Sequence, residues 1–528
     1  MNPADREATP SRFDFAVLAI VLLATAFRFY RINTPLLDAH SWRQVTNADI
    51  ARHFALGSLN PFLPRVSWGG LNGIVGMEFP LLQWITGVLW RAFNEDPITA
   101  RLVSVGFSIA TVAMTYLVGA RLFGRPAGRA AAFLMAVSPG ASYFGHAFLS
   151  DSPMLTFMVA SVWGWDRYFD RSTTGRALQA SVLTALGPLV KLPAIIVLAG
   201  IFGLAWSRRQ WSLFQDRPLV AGVALSVFTV AAWYWHADRI YLQTGLTEAI
   251  FRPSNTYPAS IAPGVAFSSV FHWATRDRLL SLDFWTEMAD RFWWLHLTPI
   301  GSLGVLIGIG AAWRAPRGLA MSLWLLGGVA LFVASAEGQF WHEFHQLPLM
   351  PPLAFAFGLA AAPLFDGALI RRHLRTPAAP LVVAAALVLA ALEGFRTSGV
   401  SRHLYRPDNL QYRFVADGNV VQTLVPPDAL VMTVDYDKAG VNSPMLLYYA
   451  RRQGWSFDVS TLSPPLIEHL RTTHELKFFA TSYRREVESD RPQVVTYLNQ
   501  FETVPVPAEH TWLWVVDLQR RRPMEGEK

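Results

Sequence analysis

The chain of 528 residues is 52% hydrophobic and 16% charged, and it contains no cysteine. A soluble domain carries about 25% charged residues, so this composition excludes an ordinary soluble enzyme. The absence of cysteine excludes disulfides, thiolate nucleophiles and cysteine-based metal sites. The net charge of +7 does not indicate nucleic-acid binding, because the arginines lie mostly in short turns between apolar runs, where a lipid bilayer explains them better.

Eleven apolar runs approach or reach the length of about 20 residues that a helix needs to cross a bilayer. They lie at 13–30, 102–120, 130–144, 153–169, 177–190, 193–206, 219–235, 294–313, 319–336, 347–365 and 380–395. The first run lacks a small-residue cleavage pattern, so we predict a retained helix and not a signal peptide. Two segments of a predicted outside loop at 31–98, namely 41–56 and 79–93, are expected to be juxtamembrane helices lying flat on the membrane surface.

Charged residues divide the chain into two parts. Asp, Glu, Lys and Arg number 52 in residues 1–400 and 31 in residues 401–528. We therefore predict a membrane domain at 1–399 and a water-facing domain at 400–528. In the second, strand-like runs at 430–434, 476–481, 501–506 and 512–516 alternate with helix-like runs at 443–452, 465–472 and 492–500. The predicted fold class is a polytopic α-helical membrane protein with a small C-terminal extracytoplasmic α/β domain.

The arginines also predict the orientation of the chain. They occupy alternate connections between the runs, whereas the connections at 145–152 and 337–346 contain no Lys or Arg. Basic residues favour the cytoplasmic side, so the N-terminus is expected inside. The loops at 31–98 and 236–293 and the C-terminal domain are expected outside.

Three carboxylates lie at the outside ends of predicted helices. Asp38 follows the first run, Glu78 precedes the flat helix and Asp151 begins the run at 153–169. A carboxylate whose pKa is tuned by its neighbours can act as a general base on a hydroxyl, and Glu78 can also be a metal ligand. Each position equally suits a helix N-terminus, which acidic residues cap or stabilise.

Three cations are predicted near the same face. Arg101 begins a span, Lys191 lies between two short apolar runs and Arg252 lies in the second long loop. Such cations can together hold a phosphate group, whereas a single cation at this depth by default contacts lipid headgroups. Lys191 would be costly at membrane depth unless it faced an anion or a water-filled cavity.

Polar and aromatic residues accumulate at the same face. Two of these residues lie two and four positions after Asp38, and a histidine-rich segment, 341–345, lies at another outside helix end. Two histidines three positions apart can share a metal, although interfacial packing explains them more simply. The candidates for an acceptor or sugar site are His40, Trp42, His342, Glu343 and His345.

The order of these motifs is similar to that of bacterial GT-C glycosyltransferases, among them the protein O-mannosyltransferases and the aminoarabinose lipid A transferases. The shared order, over 13–365, is an acidic motif after the first span, Glu-Phe-Pro at the flat helix, Ala-Arg-Leu-Val-Ser at the next span and Asp-Ser-Pro at an outside end. A late segment with the pattern H-x-x-x-x-L-P-x-x-P-P completes it.

The resemblance implies a sugar donor linked to polyprenyl phosphate, used on the outer face of a bacterial cytoplasmic membrane. It implies that Asp38 is the catalytic base and that Glu78 and Asp151 are further acids of the site. It also implies that Lys191 contacts the donor phosphate, and that Arg101 either contacts this phosphate or is a structural partner of an acid. Phe79 stands where the aminoarabinose enzymes have lysine. Transfer of aminoarabinose is therefore not implied.

We accordingly predict an inverting glycosyltransferase that moves a hexose or pentose from a polyprenyl phosphate to a hydroxyl of a lipid, glycan or protein. No cofactor is required by the motifs, and a divalent metal at Glu78 is left open. Alternatives are a secondary transporter or lipid flippase, a lipid-binding scaffold, and a ligase or polymerase that uses a polyprenyl diphosphate. The absence of an internal repeat and the collection of charges at one face do not favour a transporter.

Overall fold

The computed structural model describes residues 14–248, 257, 260–262, 273–406, 409–435 and 443–522. Within these ranges the first part of the chain is helical. Its helices are α1 Phe15–Phe29, α2 Ser41–Leu56, α3 Leu81–Phe93, α4 Pro97–Phe123, α5 Arg125–Val137, α6 Pro139–His146, α7 Asp151–Asp170, α8 Thr174–Val190, α9 Val197–Arg209, α10 Arg217–Thr244, α11 Arg276–Leu280, α12 Leu282–Asp290, α13 Thr298–Ala312, α14 Gly318–Ala334, α15 Ala336–Trp341, α16 Met350–Ala361, α17 Gly367–Leu374, α18 Ala379–Thr397 and α19 Val400–His403.

Several helical stretches are long and apolar enough to cross a membrane. Of the described residues, five stretches qualify by length and composition: Pro97–Phe123, Leu192–Gln215, Arg217–Thr244, Glu343–Phe365 and Ala379–Thr397. A sixth would be α12 and α13 taken as one span, although the pair is bent by 104°. Both α1 and α14 are apolar but shorter. Among the described residues every predicted run overlaps helix, although some runs contain breaks, and the count of eleven spans stays a prediction.

The run predicted as one span at 130–144 is broken. It forms α5 and α6, with Ser138 between them capping the backbone N–H of Ala141. Pro139 has no N–H to continue the hydrogen-bond ladder of α5. The carbonyls of Met135 and Ala136 instead accept hydrogen bonds of 3.0 Å from the buried guanidinium of Arg28 on α1. An arginine therefore satisfies the carbonyls that the broken helix leaves open.

The two predicted juxtamembrane segments form α2 and α3, which pack on each other. The contact is close at Gly87 on α3, where a Cβ atom would lie 2.6 Å from the Cβ of Phe54 on α2. The absence of a side chain therefore allows the two helices to approach. Their predicted position on the outer membrane surface stays a prediction.

The C-terminal part is a mixed sheet flanked by helices. Its strands are β1 Leu430–Asp435, β2 Gly454–Asp458, β3 Leu476–Thr481, β4 Phe501–Thr503 and β5 Trp514–Arg521. Its helices are α20 Asn409–Leu424, α21 Met445–Ala450, α22 Pro464–Thr473, α23 Arg484–Asp490 and α24 Pro492–Leu498. The strand order is β2-β1-β3-β5-β4, with β1 parallel to β2 and β3, and β5 antiparallel to β3 and β4. The α/β pattern is confirmed, and β2 is a strand that the pattern did not predict.

The sheet shares a hydrophobic core with the segment that follows α1. Val45 and Trp68 of that segment are buried in one cluster with Val431 and Trp455 of the sheet. Backbone contacts join the same parts, since the N–H of Gly454 donates to Ser67 at 2.9 Å. The C-terminal part therefore packs directly on the loop that carries the first acidic motif. The division of the chain at residue 400 stays a prediction.

A charged contact reinforces this packing. Arg52 of α2 donates to the carboxylate of Glu95 at 2.6 and 3.0 Å and lies 3.7 Å from the ring centre of Tyr448 on α21. The hydroxyl of Tyr448 donates to Glu95 at 2.8 Å. Burial would raise the pKa of Glu95, but the bonds and charge of Arg52 together with its other partners hold that pKa below its usual range.

We expect Glu95→Gln to lower the Tm of the detergent-solubilised protein, with a cost of about 1.5–3 kcal/mol for the lost charge-assisted bonds. The folded-state pKa lies below the unfolded one, so this stabilisation is present above about pH 4.3 and is lost as the pH falls through the folded-state value. The Tm difference from wild type should therefore shrink in acid. Glu502→Gln, at an exposed pair with Arg520, is the control. Equal losses of Tm in Glu95→Gln and Glu502→Gln would contradict the conclusion that the buried contact of Glu95 stabilises the protein.

Candidate active site

The segment after α1 turns sharply at His40 before α2 begins. His40 has a φ of 57°, in the left-handed region that few residues other than glycine adopt. It occupies the N-cap position of α2 without a side-chain capping bond. Asp38 does not cap this helix either, because its carboxylate is bonded elsewhere. The turn instead separates Asp38, which belongs to one cluster, from His40, which belongs to another.

The first cluster surrounds Asp38, which is fully buried. Its Oδ1 accepts a hydrogen bond of 2.5 Å from the Gln44 side chain, and its Oδ2 accepts one of 3.1 Å from Arg101. The Nε2 atom of His146 lies 3.7 Å from Oδ2. Burial would raise the pKa of Asp38, but the charge of Arg101 and the other two partners hold it below its usual range. Asp38 is therefore a buried ionised group.

Arg101 is as deeply buried as its partner. One of its terminal nitrogens also donates to the carbonyl of Pro35 at 2.8 Å, while Nε and Nη1 have no hydrogen-bond partner in the described chain. The sequence predicted a contact between Arg101 and a donor phosphate. In the structure Arg101 is enclosed against Asp38, which agrees with the alternative that Arg101 is a structural partner of an acid, while its contact with the phosphate stays a prediction.

A second cluster contains the other two predicted acids. Arg43 donates to Oε2 of Glu78 at 3.1 Å and also forms an ion pair with Glu248. Lys191, where α8 ends, donates to Oδ2 of Asp151 at 2.7 Å. Burial raises the pKa of Glu78 above its usual range, against the opposing charges of Arg43 and Lys191. Both acids are thus paired with cations, and their charges act on each other.

Hydrogen bonds from α2 position the start of α7 beside this cluster. The Gln44 side chain accepts from the backbone N–H of Phe148 at 3.0 Å, and Asn47 donates to the carbonyl of Phe148 at 2.8 Å. Gln83 of α3 donates to Asn47 at 2.8 Å. The loop that precedes Asp151 is therefore fixed by both α2 and α3.

A third cluster joins His40 to the late histidine-rich segment. The Nε2 atom of His40 lies 2.7 Å from Oε2 of Glu343. The ring of His342 is 5.6 Å from that of His40 and 6.3 Å from that of Trp42. His345 stands edge-on to His342 at 5.3 Å between ring centres. The structure thus brings together the five residues predicted for an acceptor or sugar site.

Phe344 connects the second and third clusters. The ammonium group of Lys191 lies 4.2 Å from the centre of the Phe344 ring, and the ring centre of His40 lies 4.8 Å from it. The two clusters therefore form one site around a single aromatic ring. Asp38 and Arg101 lie behind this site and are linked to it through the first turn of α2.

The residues present do not fit a divalent metal at Glu78. Its charged neighbours include Arg43 and Lys191, and cations beside a carboxylate oppose the binding of a metal ion. Within the described ranges, no group of three or more His, Asp or Glu side chains comes together as a metal site. Arg252, the remaining predicted phosphate contact, lies outside the described residues.

Sequence reasoning missed four charged or ionisable members of these clusters: Arg43, His146, Glu248 and Arg291. Arg43 lies in the first acidic motif, three positions after His40, where the first turn of a helix brings two side chains to one face. That spacing was the available signal for Arg43. The other three come from distant segments, and nothing in their local sequence distinguishes them.

Residues 78–235 match the family model of the dolichyl-phosphate-mannose-protein mannosyltransferases. The structure resembles that of ArnT from Cupriavidus metallidurans bound to undecaprenyl phosphate, with a TM-score of 0.63, 13% identity, and coverage of 96% of this chain and 98% of that chain. It is also similar to the oligosaccharyltransferase AglB from Archaeoglobus fulgidus in complex with an inhibitory peptide and a dolichol-phosphate, with a TM-score of 0.55, 12% identity, and coverage of 93% and 72%.

The chain has a GT-C glycosyltransferase fold. The resemblance predicted from the order of the motifs is thereby confirmed, and so is the fold class of a multi-span helical membrane protein with a small C-terminal α/β part. A search of curated protein sequences finds no match. The family match and the GT-C fold together support a membrane glycosyltransferase that depends on a polyprenyl phosphate.

Proposed function

We propose that this GT-C protein transfers a sugar from a polyprenyl-phosphate donor to a hydroxyl acceptor at the outer face of a bacterial cytoplasmic membrane. The observation that carries the proposal is the site around Phe344. There the carboxylates of Glu78 and Asp151, the cations Arg43 and Lys191 and the imidazole of His40 come from four separate segments and meet beside helices that can cross a membrane. ArnT and AglB, with the same fold, bind undecaprenyl phosphate and dolichol-phosphate respectively.

The cations suit the phosphate of the donor. The Lys191 and Arg43 side chains are 11% and 18% exposed, so both are largely shielded from water yet reachable from the site. A fixed positive charge that is shielded from water stabilises the negative charge that develops on a leaving phosphate. Asp151 and Glu78 hold these two cations in position, and their remaining oxygens can accept hydrogen bonds from sugar hydroxyls.

The proposed reaction is a single displacement. The acceptor oxygen forms a bond to the anomeric carbon while the bond from that carbon to the phosphate oxygen breaks. The electron pair of the broken bond leaves with the polyprenyl phosphate, and the configuration at the anomeric carbon inverts. A phosphate is a good leaving group, so no general acid is needed, but the proton of the acceptor must go to a base. If Asp38 is that base, the Arg101 pair must open before an acceptor hydroxyl reaches its carboxylate.

The proposal is tested with purified protein in liposomes that contain radiolabelled polyprenyl-phosphate sugars, both hexosyl and pentosyl, and a membrane extract as the source of acceptor. We expect wild type to remove label from at least one of these lipids, and protein-free liposomes to leave it in place. A ligase or polymerase would consume only diphosphate-linked donors. A flippase would move the labelled lipid between leaflets without cleaving it, and either result would contradict the proposal.

A further inference from the structure

We infer that His40, oriented by Glu343, takes the proton from the acceptor hydroxyl. This inference rests on the proposed glycosyl transfer and assigns its base. The proton moves from the acceptor hydroxyl to Nδ1 of His40, as the acceptor oxygen bonds to the anomeric carbon and the polyprenyl phosphate leaves. Release of that proton to water afterwards returns the imidazole to its neutral form.

The contact with Glu343 determines which ring nitrogen is available. A carboxylate only accepts hydrogen bonds, so the bond of 2.7 Å requires a hydrogen on Nε2 of His40. In the neutral ring Nδ1 then carries the lone pair. No hydrogen bond to Nδ1 occurs among the described residues. The arrangement matches the general pattern of an imidazole base that a carboxylate holds in one tautomer.

The ring of His40 is held in place and remains partly accessible. Phe344 and Phe144 lie against it, with ring centres 4.8 and 6.1 Å away. The side chain is 11% exposed, whereas Asp38 two positions earlier is fully enclosed. The left-handed backbone at His40 turns the ring away from the Asp38 cluster and toward Glu343. Backbone conformations of this kind are costly and concentrate at functional sites.

The charged and titratable groups that face the pair come from several elements. His342 lies next to the imidazole, and Arg291, where α12 ends, lies 3.9 Å from Oε1 of Glu343. Lys191 lies on the other face of the site, against Phe344. Arg291 therefore helps to keep Glu343 ionised. The ionised Glu343 can then stabilise the imidazolium of His40 that forms during transfer.

The three predicted carboxylates are each occupied by a cation. Asp38 pairs with Arg101 at 3.1 Å, Glu78 with Arg43 at 3.1 Å and Asp151 with Lys191 at 2.7 Å. A cation at this distance occupies an oxygen and opposes protonation of the carboxylate. Burial raises the pKa of Glu78, which makes Glu78→Gln the comparison variant. Within the described ranges, the direct partner of His40 is the carboxylate of Glu343 and not a cation.

The test is chemical rescue. His40→Gly removes the imidazole at a position where glycine adopts the left-handed conformation without strain and leaves room for a free ring. We expect turnover of the polyprenyl-phosphate sugar to fall by about 10²–10⁴-fold. Added imidazole should restore part of the turnover in proportion to its concentration. Glu343→Gln should also lower turnover. Imidazole should not restore it, because the His40 ring is still present and occupies the space that free imidazole would need.

Trp42→Ala is the matched control, since it opens a cavity on the same helical turn, and imidazole should not rescue it. His40→Asn, which also tolerates this backbone, replaces the glycine variant if that variant does not fold. Full turnover in either His40 variant, or a loss in His40→Gly that imidazole does not relieve, would overturn the inference. Loss of turnover in Glu78→Gln with full turnover in the His40 variants would assign the base to Glu78. Absence of donor turnover by wild type would instead reject the proposed function.

Discussion

Asp38→Asn is expected to destabilise the folded protein by about 3–5 kcal/mol, because the change removes the carboxylate from a buried ion pair. Arg101, its fully buried partner, already has two nitrogens without hydrogen-bond partners in the described chain. Asparagine has nearly the shape of aspartate but cannot neutralise the guanidinium. We expect a clear loss of Tm in detergent, accompanied by loss of sugar transfer.

The control for this prediction removes both charges. In Asp38→Asn/Arg101→Met no charge is left buried without a partner, so most of the lost stability should return. Transfer should stay low even then, because the uncharged amide that replaces Asp38 accepts a weaker hydrogen bond from Gln44. That bond fixes the first turn of α2, from which His40 and Arg43 reach the site. The opposite pattern, a normal Tm and lost transfer in Asp38→Asn, would support the base role that the resemblance implies. It would also contradict the assignment of the base to His40.

The helices were largely predictable because long apolar runs satisfy both the bilayer and the packing of neighbouring helices. The break between α5 and α6 was not predicted, although Pro139 is visible in the sequence. Counting apolar residues treats 130–144 as continuous, whereas a proline removes one donor and releases the carbonyls of the preceding turn. The partner of those carbonyls, Arg28, lies more than 100 positions away.

The strand β2 was not predicted from the sequence, for a different reason. Its residues Gly454–Asp458 are short, begin with glycine and follow two arginines, so neither length nor composition predicts a strand. Gly454 is required by its surroundings, because a Cβ atom there would lie 1.8 Å from the carbonyl oxygen of Val431 on β1. Such a close approach of two backbones exists only in the folded sheet, and no local sequence pattern predicts it.

The site was predictable as a region but not as a set of contacts. Its acids and cations follow or precede helices at one face, and the resemblance placed the acids in order. The pairing was unpredictable because it depends on side chains far apart in sequence, such as Glu343 with His40, 303 positions earlier. It depends also on the turn at His40, which separates Asp38 from the open part of the site.

Lys191→Met is expected to weaken the binding of polyprenyl phosphate and to lower kcat/KM for the donor by about 10²–10³-fold, since one electrostatic contact to the leaving group is lost. The change also leaves Asp151 buried without its cation, and Oδ1 of Asp151 already lacks a hydrogen bond from any described residue. Adding Asp151→Asn should restore the Tm but not the binding. Binding is measured with labelled polyprenyl phosphate in detergent micelles, and Lys477→Met on β3 is the control, with no change expected.

The two measurements separate two roles for Lys191. If lipid-phosphate binding falls together with transfer, the ammonium acts on the phosphate itself. If binding is unchanged while transfer is lost, Lys191 acts through Asp151, and the phosphate contact must come from another cation. Arg43 would then be the candidate, because it is largely buried, lies in the same site and bonds Glu78. Arg43→Met should in that case reduce the binding that Lys191→Met had left intact.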